Sequence, residues 1–145
     1  MQNLPEILKP HGYKKVKFKI SKTQHLLVKA KINGVSGLFI LDTGASNSCV
    51  GFEGTELFGL NAQKSSTLAA GAGATGMFTQ IAPHNVLQIG RWKTAHFSLV
   101  IFDLSHVNQA LSQHKAPMVQ GIIGADMLMQ AHAIIDYHNH CVYLQ

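Results

Sequence analysis

The chain has few cysteines and no long apolar segment. Cys49 and Cys141 are its only cysteines in 145 residues, too few for a disulfide framework, so we expect reduced thiols. No stretch approaches the roughly 20 apolar residues of a membrane span, and residues 1–20 mix charged and apolar side chains where an export signal needs an apolar core. These absences argue against disulfide-stapled and membrane-spanning classes, and we expect a cytoplasmic protein with no membrane partner.

Charge is also scarce, and its sign is uneven. Charged residues make up 13% of the chain and hydrophobic residues 46%, which is ample for one domain over 1–145, with 1–14 as a candidate N-terminal extension. The net charge is +5, and eight of the twelve basic residues lie early: Lys9, Lys14, Lys15, Lys17, Lys19, Lys22, Lys29 and Lys31. No nucleic-acid motif and few aromatic residues accompany them, so we interpret Lys15 to Ile20 as an edge strand with a lysine face.

Short β-type segments recur along the chain. They are residues 15–20, 26–32, 38–41, 48–52, 77–81, 86–89, 95–102, 133–136 and 142–144. Asn33-Gly34 predicts a tight hairpin, since both residues tolerate positive φ, and further turns are predicted at 83–85 and 90–91. Brief helices are predicted over 105–114, with Ser105 as N-cap, and over 125–131. The pattern predicts a mostly β protein, in the form of a closed or partly open antiparallel barrel with one or two short helices.

One acidic residue follows a buried strand at a conspicuous position. The apolar segment Leu38 to Leu41 leads directly into Asp42-Thr43-Gly44-Ala45-Ser46. Aspartate disfavours β-structure, and Gly44 permits backbone geometry and close approach that other residues do not. The segment is therefore predicted to present a reactive carboxylate from a turn at a strand end.

A glycine-rich segment imitates a dinucleotide-binding motif. Gly71-Ala72-Gly73-Ala74-Thr75-Gly76 fits G-x-G-x-x-G, but that motif opens a helix and needs an acid about 20 residues later. Here β-type residues and Pro83 follow, and the next acid is Asp103. The segment fits the tip of a mobile hairpin better, which could close over a cleft as a lid; an ordinary flexible surface loop is the alternative.

A second motif lies downstream, at Ile122-Ile123-Gly124-Ala125-Asp126, and a short apolar helix is predicted after it. The strand, the D-T-G-A-S turn, the glycine-rich hairpin, the I-I-G-x-D motif and the last strands together resemble single-domain aspartic proteases of the retropepsin type. The resemblance covers roughly residues 26–144. It implies the acid protease fold and, because the D-T-G motif occurs once, a two-fold homodimer in which two chains supply the two acids.

The same resemblance implies roles for particular residues. Asp42 corresponds to the catalytic acid, Thr43 to the residue whose hydroxyl holds the two active-site loops together, and Gly44 to backbone that contacts bound peptide. Ala45 packs beside them, and Ser46 is interpreted as a hydrogen-bonding loop residue. Ile122, Ile123 and Gly124 correspond to the strand and turn beneath the Asp42 loop, and Asp126 opens a helix. The segment with Gly71, Gly73 and Gly76 corresponds to the flap only in character, with no individual contact assigned. Asp126 also has a structural explanation, because the helix dipole favours an acid there.

The sequence departs from the viral pattern in one pair of positions. Viral members carry an Arg after the glycine of the second motif, paired with an acid after the first, whereas this chain has Ala125 and Ser46 there. Both members of the pair are absent together, so no charge is left unpaired. The chain is more similar to cellular or bacterial retropepsin-like proteins.

Other chemistries are less well supported. His132, His138, His140 and Cys141 do not have the spacing of a tetrahedral metal site, so no metal or cofactor is expected. Ser46, Ser48 and Cys49 lack the surroundings of a catalytic nucleophile.

The sequence thus predicts a homodimeric aspartic endopeptidase that acts on peptide or protein substrates. One alternative keeps the fold without the activity, as a catalytically silent dimeric module that binds peptides or acts as a scaffold. A second alternative is a basic β-barrel that binds nucleic acid through the early lysines, and strong salt-dependent binding would favour it.

Overall fold

A computed structural model describes residues 3–64 and 79–145. Within these ranges the chain forms eleven β-strands, four short α-helices and one 3-10 turn, Lys9–His11. The strands are β1 (Lys14–Lys17), β2 (Lys19–Ile20), β3 (Leu26–Ile32), β4 (Val35–Leu41), β5 (Cys49–Val50), β6 (Gln63–Lys64), β7 (Gln80–Ile89), β8 (Trp92–Ile101), β9 (Gly121–Ile123), β10 (Ile134–Asp136) and β11 (Cys141–Leu144). The helices are α1 (Leu4–Leu8), α2 (Gly54–Leu57), α3 (Ser105–Gln113) and α4 (Ala125–Gln130).

The main sheet closes into a barrel. Its strands pair in the order β3-β4-β9-β5-β8-β7, and β7 returns to β3 through the pairs Lys31 with Gln88 and Ile32 with Leu87. Fully buried apolar side chains, including Phe39, Leu99 and Ile123, form its core. The predicted mostly β barrel is confirmed, although β4 with β9 and β5 with β8 are parallel pairs. Side-chain periodicity does not encode the direction of a neighbouring strand.

Strand β9 lies between the strands on either side of the predicted Asp42 turn. It runs parallel to β4 and antiparallel to β5. A Cβ atom at Gly121 would collide with the carbonyl oxygen of Cys49 and the ring of Phe39, so this close approach requires glycine. The chain between β4 and β5 therefore passes over the end of β9.

A smaller sheet holds the end of the chain against its beginning. β11 is its central strand, paired antiparallel with β1 and β10. Helix α1 places Leu8 in a buried cluster with Cys141 and Tyr143 on one face of this sheet. The predicted terminal β segments are confirmed, and the turn between β10 and β11 lies at 137–140.

Two of the three predicted turns are confirmed. Asn33 and Gly34 have φ of 52° and 84° and join β3 to β4, and Gly90 and Arg91 join β7 to β8. The predicted turn at 83–85 is wrong, because these residues lie within β7 at a β-bulge. Pro83 and a positive φ at the next residue are accommodated there without ending the strand.

The two predicted helices are confirmed as α3 and α4, but Ser105 is not the N-cap of α3. That position is Leu104, whose side chain makes no capping bond. Asp103 takes the role instead, since its Oδ1 accepts hydrogen bonds from the amide and the hydroxyl of Ser105 at 2.8 and 2.6 Å. Helices α1 and α2 were not predicted, because five and four residues give too little periodicity to recognise. No helix in the described ranges is long and apolar enough to cross a membrane.

Candidate active site

Asp42 lies directly after β4 and is oriented by its own turn. Its amide donates to the carbonyl oxygen of Ile123 at 2.9 Å, which continues the β4–β9 ladder by one bond. Its Oδ1 accepts the amide of Gly44 at 2.9 Å. The residue is half-buried, and Oδ2 makes no hydrogen bond within residues 3–64 and 79–145. Within the described residues, one carboxylate oxygen is thus held by the backbone and the other has no hydrogen bond.

The residues after Asp42 form an outward-facing loop. Thr43, Gly44 and Ser46 are exposed, and Ala45 is half-buried. A Cβ atom at Gly44 would stand 3.3 Å from Oδ1 of Asp42, so glycine leaves this side of the carboxylate open. The Thr43 hydroxyl has no hydrogen-bond partner in the described part of the chain.

The second motif supports the loop from below. Ile122 and Ile123 are buried in β9, beside the strand that ends at Asp42. The amide of Ala125 donates to the carbonyl oxygen of Ala45 at 2.7 Å. A Cβ atom at Gly124 would lie 2.6 Å from that same oxygen. The loop rests so closely on Gly124 that a larger residue has no room.

Asp126 is linked to the end of the Asp42 loop through Ser48. Both oxygens of Asp126 accept the amide of Ser48, at 3.0 and 2.9 Å, and Oδ1 also accepts its hydroxyl at 2.7 Å. The Ser48 hydroxyl in turn accepts the amide of Gly124 at 2.9 Å, and Oδ1 accepts the amide of Met127 at 2.8 Å. Ser48 is fully buried. Its role was missed by the sequence analysis, which considered it only as a nucleophile.

The neighbouring cysteine is not an activated nucleophile. Burial raises the pKa of Cys49 to about 12, with smaller upward contributions from the charges of Asp126 and Asp42 and a backbone hydrogen bond acting in the other direction. The thiolate is the reactive form of cysteine. Cys49 is therefore a buried neutral thiol and not a nucleophile.

An apolar depression adjoins the exposed loop. It has a volume of about 360 Å³ and is lined by Thr43, Ala125, Leu128, Met129, His132 and Ala133. Met129 is 75% exposed, the most exposed of the large hydrophobic side chains in residues 3–64 and 79–145. We call this surface the Met129 face. Nothing in the sequence pattern distinguished Met129 from a buried residue of α4.

The remaining predictions concern the flap and the histidines considered as metal ligands. Gly71, Gly73 and Gly76, predicted as the flap, lie outside the described residues. Among residues 3–64 and 79–145, no three His, Cys, Asp or Glu side chains converge as metal ligands. His132 bonds to Oε1 of Gln145 at 2.6 Å, and His140 stacks on Phe18.

The closed barrel, with an Asp-Thr-Gly turn supported by a glycine-bounded strand, defines the class as a retropepsin-like aspartic protease fold. A family model described as aspartyl protease matches residues 28–127. The match spans more than half of the chain, so the chain belongs to this family. No curated protein sequence gives a significant match.

Three solved structures illustrate the likeness. A retropepsin-like aspartic protease from Rickettsia conorii has a TM-score of 0.61 at 15% identity, with 91% of this chain and 90% of that chain covered. The retroviral protease-like domain of Ddi1 from Leishmania major has a TM-score of 0.58 at 19% identity, covering 88% and 90%. The EIAV protease in complex with an inhibitor has a TM-score of 0.58 at 17% identity, covering 81% and 98%. At these identities the likeness establishes the fold alone.

Proposed function

We propose that the chain is an aspartic endopeptidase whose active form is a two-fold homodimer. Asp42 and the partner's Asp42 activate one water molecule, which attacks the scissile carbonyl of an extended peptide. The Asp-Thr-Gly turn, the family match and the retropepsin-like fold support this reaction class.

The observation that carries the proposal is that each protomer has one available carboxylate at this site. Asp42 is half-buried and keeps Oδ2 free of hydrogen bonds within the described ranges. Asp126 is the neighbouring acid, but the amide and hydroxyl of Ser48 and the amide of Met127 occupy its oxygens. Asp126 therefore stabilises the loop and does not activate the water molecule. A dyad requires the same acid from a second copy.

Two carboxylates are needed because the reaction uses a base and an acid together. An ionised carboxylate removes a proton from water but cannot also donate a hydrogen bond to the substrate carbonyl. Two carboxylates about 3 Å apart cannot both ionise, so they share one proton. The ionised member then activates water while the protonated member polarises the carbonyl, and the pair titrates as a unit.

The surface around Asp42 has the properties of a homodimer interface. Thr43 presents a hydroxyl without a partner in the described residues, which fits its predicted bond to the opposite loop. The Met129 face adds an apolar surface next to Thr43, and burial of Met129 against a second copy would remove an exposed side chain from water. Ala125 and Ser46 contribute no charge to this surface, so burial there leaves no ion unpaired.

The first experiment compares Asp42→Asn with a matched control, Glu56→Gln, which neutralises an exposed acid on α2. Purified proteins are incubated with a diverse peptide library from acidic to neutral pH, because a carboxylate dyad carries its single proton between its two pKa values, and products are read by mass spectrometry. We expect wild type and Glu56→Gln to cleave and Asp42→Asn to be inactive while it still folds and dimerises. Equal cleavage by Asp42→Asn rejects the proposal, and peptide binding without any cleavage favours the silent module.

A mixing experiment tests whether the two acids come from two chains. Wild type and Asp42→Asn are combined in equal amounts and allowed to exchange subunits. If every active site needs two Asp42 residues, about a quarter of the dimers are active, whereas independent protomers retain about half of the activity. Retention of half after full exchange, or a monomer at every concentration, contradicts the dyad.

A further inference from the structure

A cavity on the opposite side of the small sheet from the barrel core has no role in the proposed reaction. It has a volume of about 400 Å³ and is lined by Pro5, Leu8, Lys9, Gly12, Tyr13, Lys14, Lys15, Arg91 and Tyr143. We call it the N-terminal cavity. Its size lies within the range of small-molecule sites, roughly 300–1,000 Å³.

The walls of the N-terminal cavity are held by specific bonds. The Tyr13 hydroxyl donates to the carbonyl oxygen of His132 at 2.9 Å. Nε2 of Gln145 donates to the carbonyl oxygen of His11 at 2.9 Å. Gly12 ends the 3-10 turn with φ of 80°, and its amide donates to the carbonyl oxygen of Lys9 at 3.0 Å. These bonds therefore fix the residues around the cavity, which lies where the first residues of the chain pack against the last strands.

All the charged side chains that line the N-terminal cavity are cationic. Lys9, Lys14, Lys15 and Arg91 contribute four cations, and no carboxylate is among the described lining residues. Cations that line one cavity without acidic partners repel one another, and an anion bound in the cavity relieves that cost. An arginine beside lysines favours phosphate, because its planar fork binds two oxygens at once.

Tyr143 gives a second, independent indication of a ligand. It is 2% exposed and lines the cavity, and among the described residues its buried hydroxyl has only a weak partner, the thiol of Cys141. Buried hydroxyls normally have partners. Burial first, and next a side-chain hydrogen bond with Cys141, raise the pKa of Tyr143 to about 12, so the hydroxyl keeps its proton at neutral pH. The charge of Asp136 adds to this rise, but Asp136 accepts hydrogen bonds from Asn139 and does not line the cavity.

We propose that the N-terminal cavity binds a phosphorylated small molecule with an apolar or aromatic body. The four cations and the Tyr143 hydroxyl receive the phosphate oxygens, and Pro5, Leu8 and the ring of Tyr13 contact the apolar body. A free phosphate ion satisfies only the first set of contacts. The lysines near the start of the chain then serve a defined site and not only solubility.

Calorimetry with phenyl phosphate, adenosine monophosphate, inorganic phosphate and phenol tests this proposal at one fixed salt concentration. The cavity variant is Lys15→Gln with Arg91→Gln. Its matched control is Lys22→Gln with Lys115→Gln, which removes the same charge from exposed positions outside the lining. We expect one phenyl phosphate per chain, bound more tightly than inorganic phosphate, with phenol not bound. The cavity variant loses affinity about tenfold, and the control keeps it within about twofold.

Tyr143→Phe provides a variant that keeps the fold. Because the hydroxyl loses only a weak contact with the Cys141 thiol, thermal stability is expected to change little, while phenyl phosphate affinity falls about fivefold. Asp42→Asn is expected to bind phenyl phosphate as wild type does, so this test is separate from that of the proposed protease. Equal losses in the two double variants, or no saturable binding, overturn the proposal. An oligonucleotide that binds with a steep salt dependence and outcompetes phenyl phosphate replaces it with a nucleic-acid surface.

Discussion

Replacement of Ser48 by alanine tests how the active-site loop is held. Ser48 is fully buried, and its hydroxyl both donates to Asp126 at 2.7 Å and accepts the amide of Gly124 at 2.9 Å. The substitution deletes one oxygen and leaves the backbone of the residue unchanged. It removes the bond to the carboxylate and leaves the Gly124 amide buried without a partner.

The expected cost follows from these two losses. A hydrogen bond to a charged group contributes about 1.5–3 kcal/mol, and a buried amide left unsatisfied costs about 1–3 kcal/mol. Asp126 keeps its bonds to the amides of Ser48 and Met127, so we expect a net destabilisation of about 3 kcal/mol. For a chain of this size, that corresponds to a decrease in Tm of about 9 °C.

Thermal and urea unfolding measure the effect at one fixed protein concentration, because dimerisation makes Tm depend on concentration. The matched control is Ser46→Ala, an exposed serine of the same loop, which we expect to change stability by less than about 0.5 kcal/mol. A double-mutant cycle with Asp126→Asn isolates the pair, and we expect a coupling of about 1–2 kcal/mol.

Peptidase activity provides a second measurement for the same variant. If the network positions the Asp42 loop, Ser48→Ala lowers activity at a temperature where the protein remains folded, and Ser46→Ala does not. A Ser48→Ala protein as stable as Ser46→Ala, with additive effects in the cycle, refutes the supporting role of this network.

Three further predictions follow from the same structure. Gly124→Ala forces a methyl group against the carbonyl oxygen of Ala45, so we expect a loss of about 1–3 kcal/mol in urea unfolding; a stabilised variant would disprove the contact. Hydrogen bonds from the side chain and then the backbone of Ser105 lower the pKa of Asp103 below 3.8, so its contribution to stability is present above that value and disappears as pH falls through the lowered pKa. Titration by NMR should show this, and the pKa should rise in Ser105→Ala. Cys49 should resist alkylation at pH 8 (about a unit above neutral, far below its raised pKa) until the protein is unfolded, and rapid labelling of native protein would contradict its burial.

The sequence predicted the strands whose residues have clear alternation or continuous apolar character. Residues 26–32 form β3 with the predicted bounds, and Asn33-Gly34 forms the predicted hairpin, because local backbone preference and side-chain period both specify them. The bulge at 83–85 was mistaken for a turn because Pro83 breaks a strand pattern in isolation. In the structure, the side-chain amide of Asn85 donates to the carbonyl oxygens of Ala82 at the bulge and of Phe97 in the neighbouring strand, and the second of these contacts is not contained in local propensity.

The residues of the candidate site could be predicted from the sequence, but most of the contacts between them could not. The sequence indicated Asp42 and the second motif because their spacing and residue types are unusual for plain structural segments. It assigned Asp126 only a favourable helix dipole. The structure connects Asp126 to Ser48, 78 positions earlier in the chain, and brings the loop against Gly124. These contacts depend on the parallel alignment of β4 with β9, which no segment specifies by itself.

The amino-acid sequence alone determined a mostly β chain with one Asp-Thr-Gly turn, since alternation, turn residues and motif order are local properties. Tertiary structure decided what surrounds that turn: Asp126 is hydrogen-bonded to Ser48, and the Thr43 side chain is exposed. It also decided which of the early lysines line the N-terminal cavity. Those properties arise because barrel closure and the pairing of β11 with β1 bring distant residues together, and only packing in three dimensions selects such neighbours.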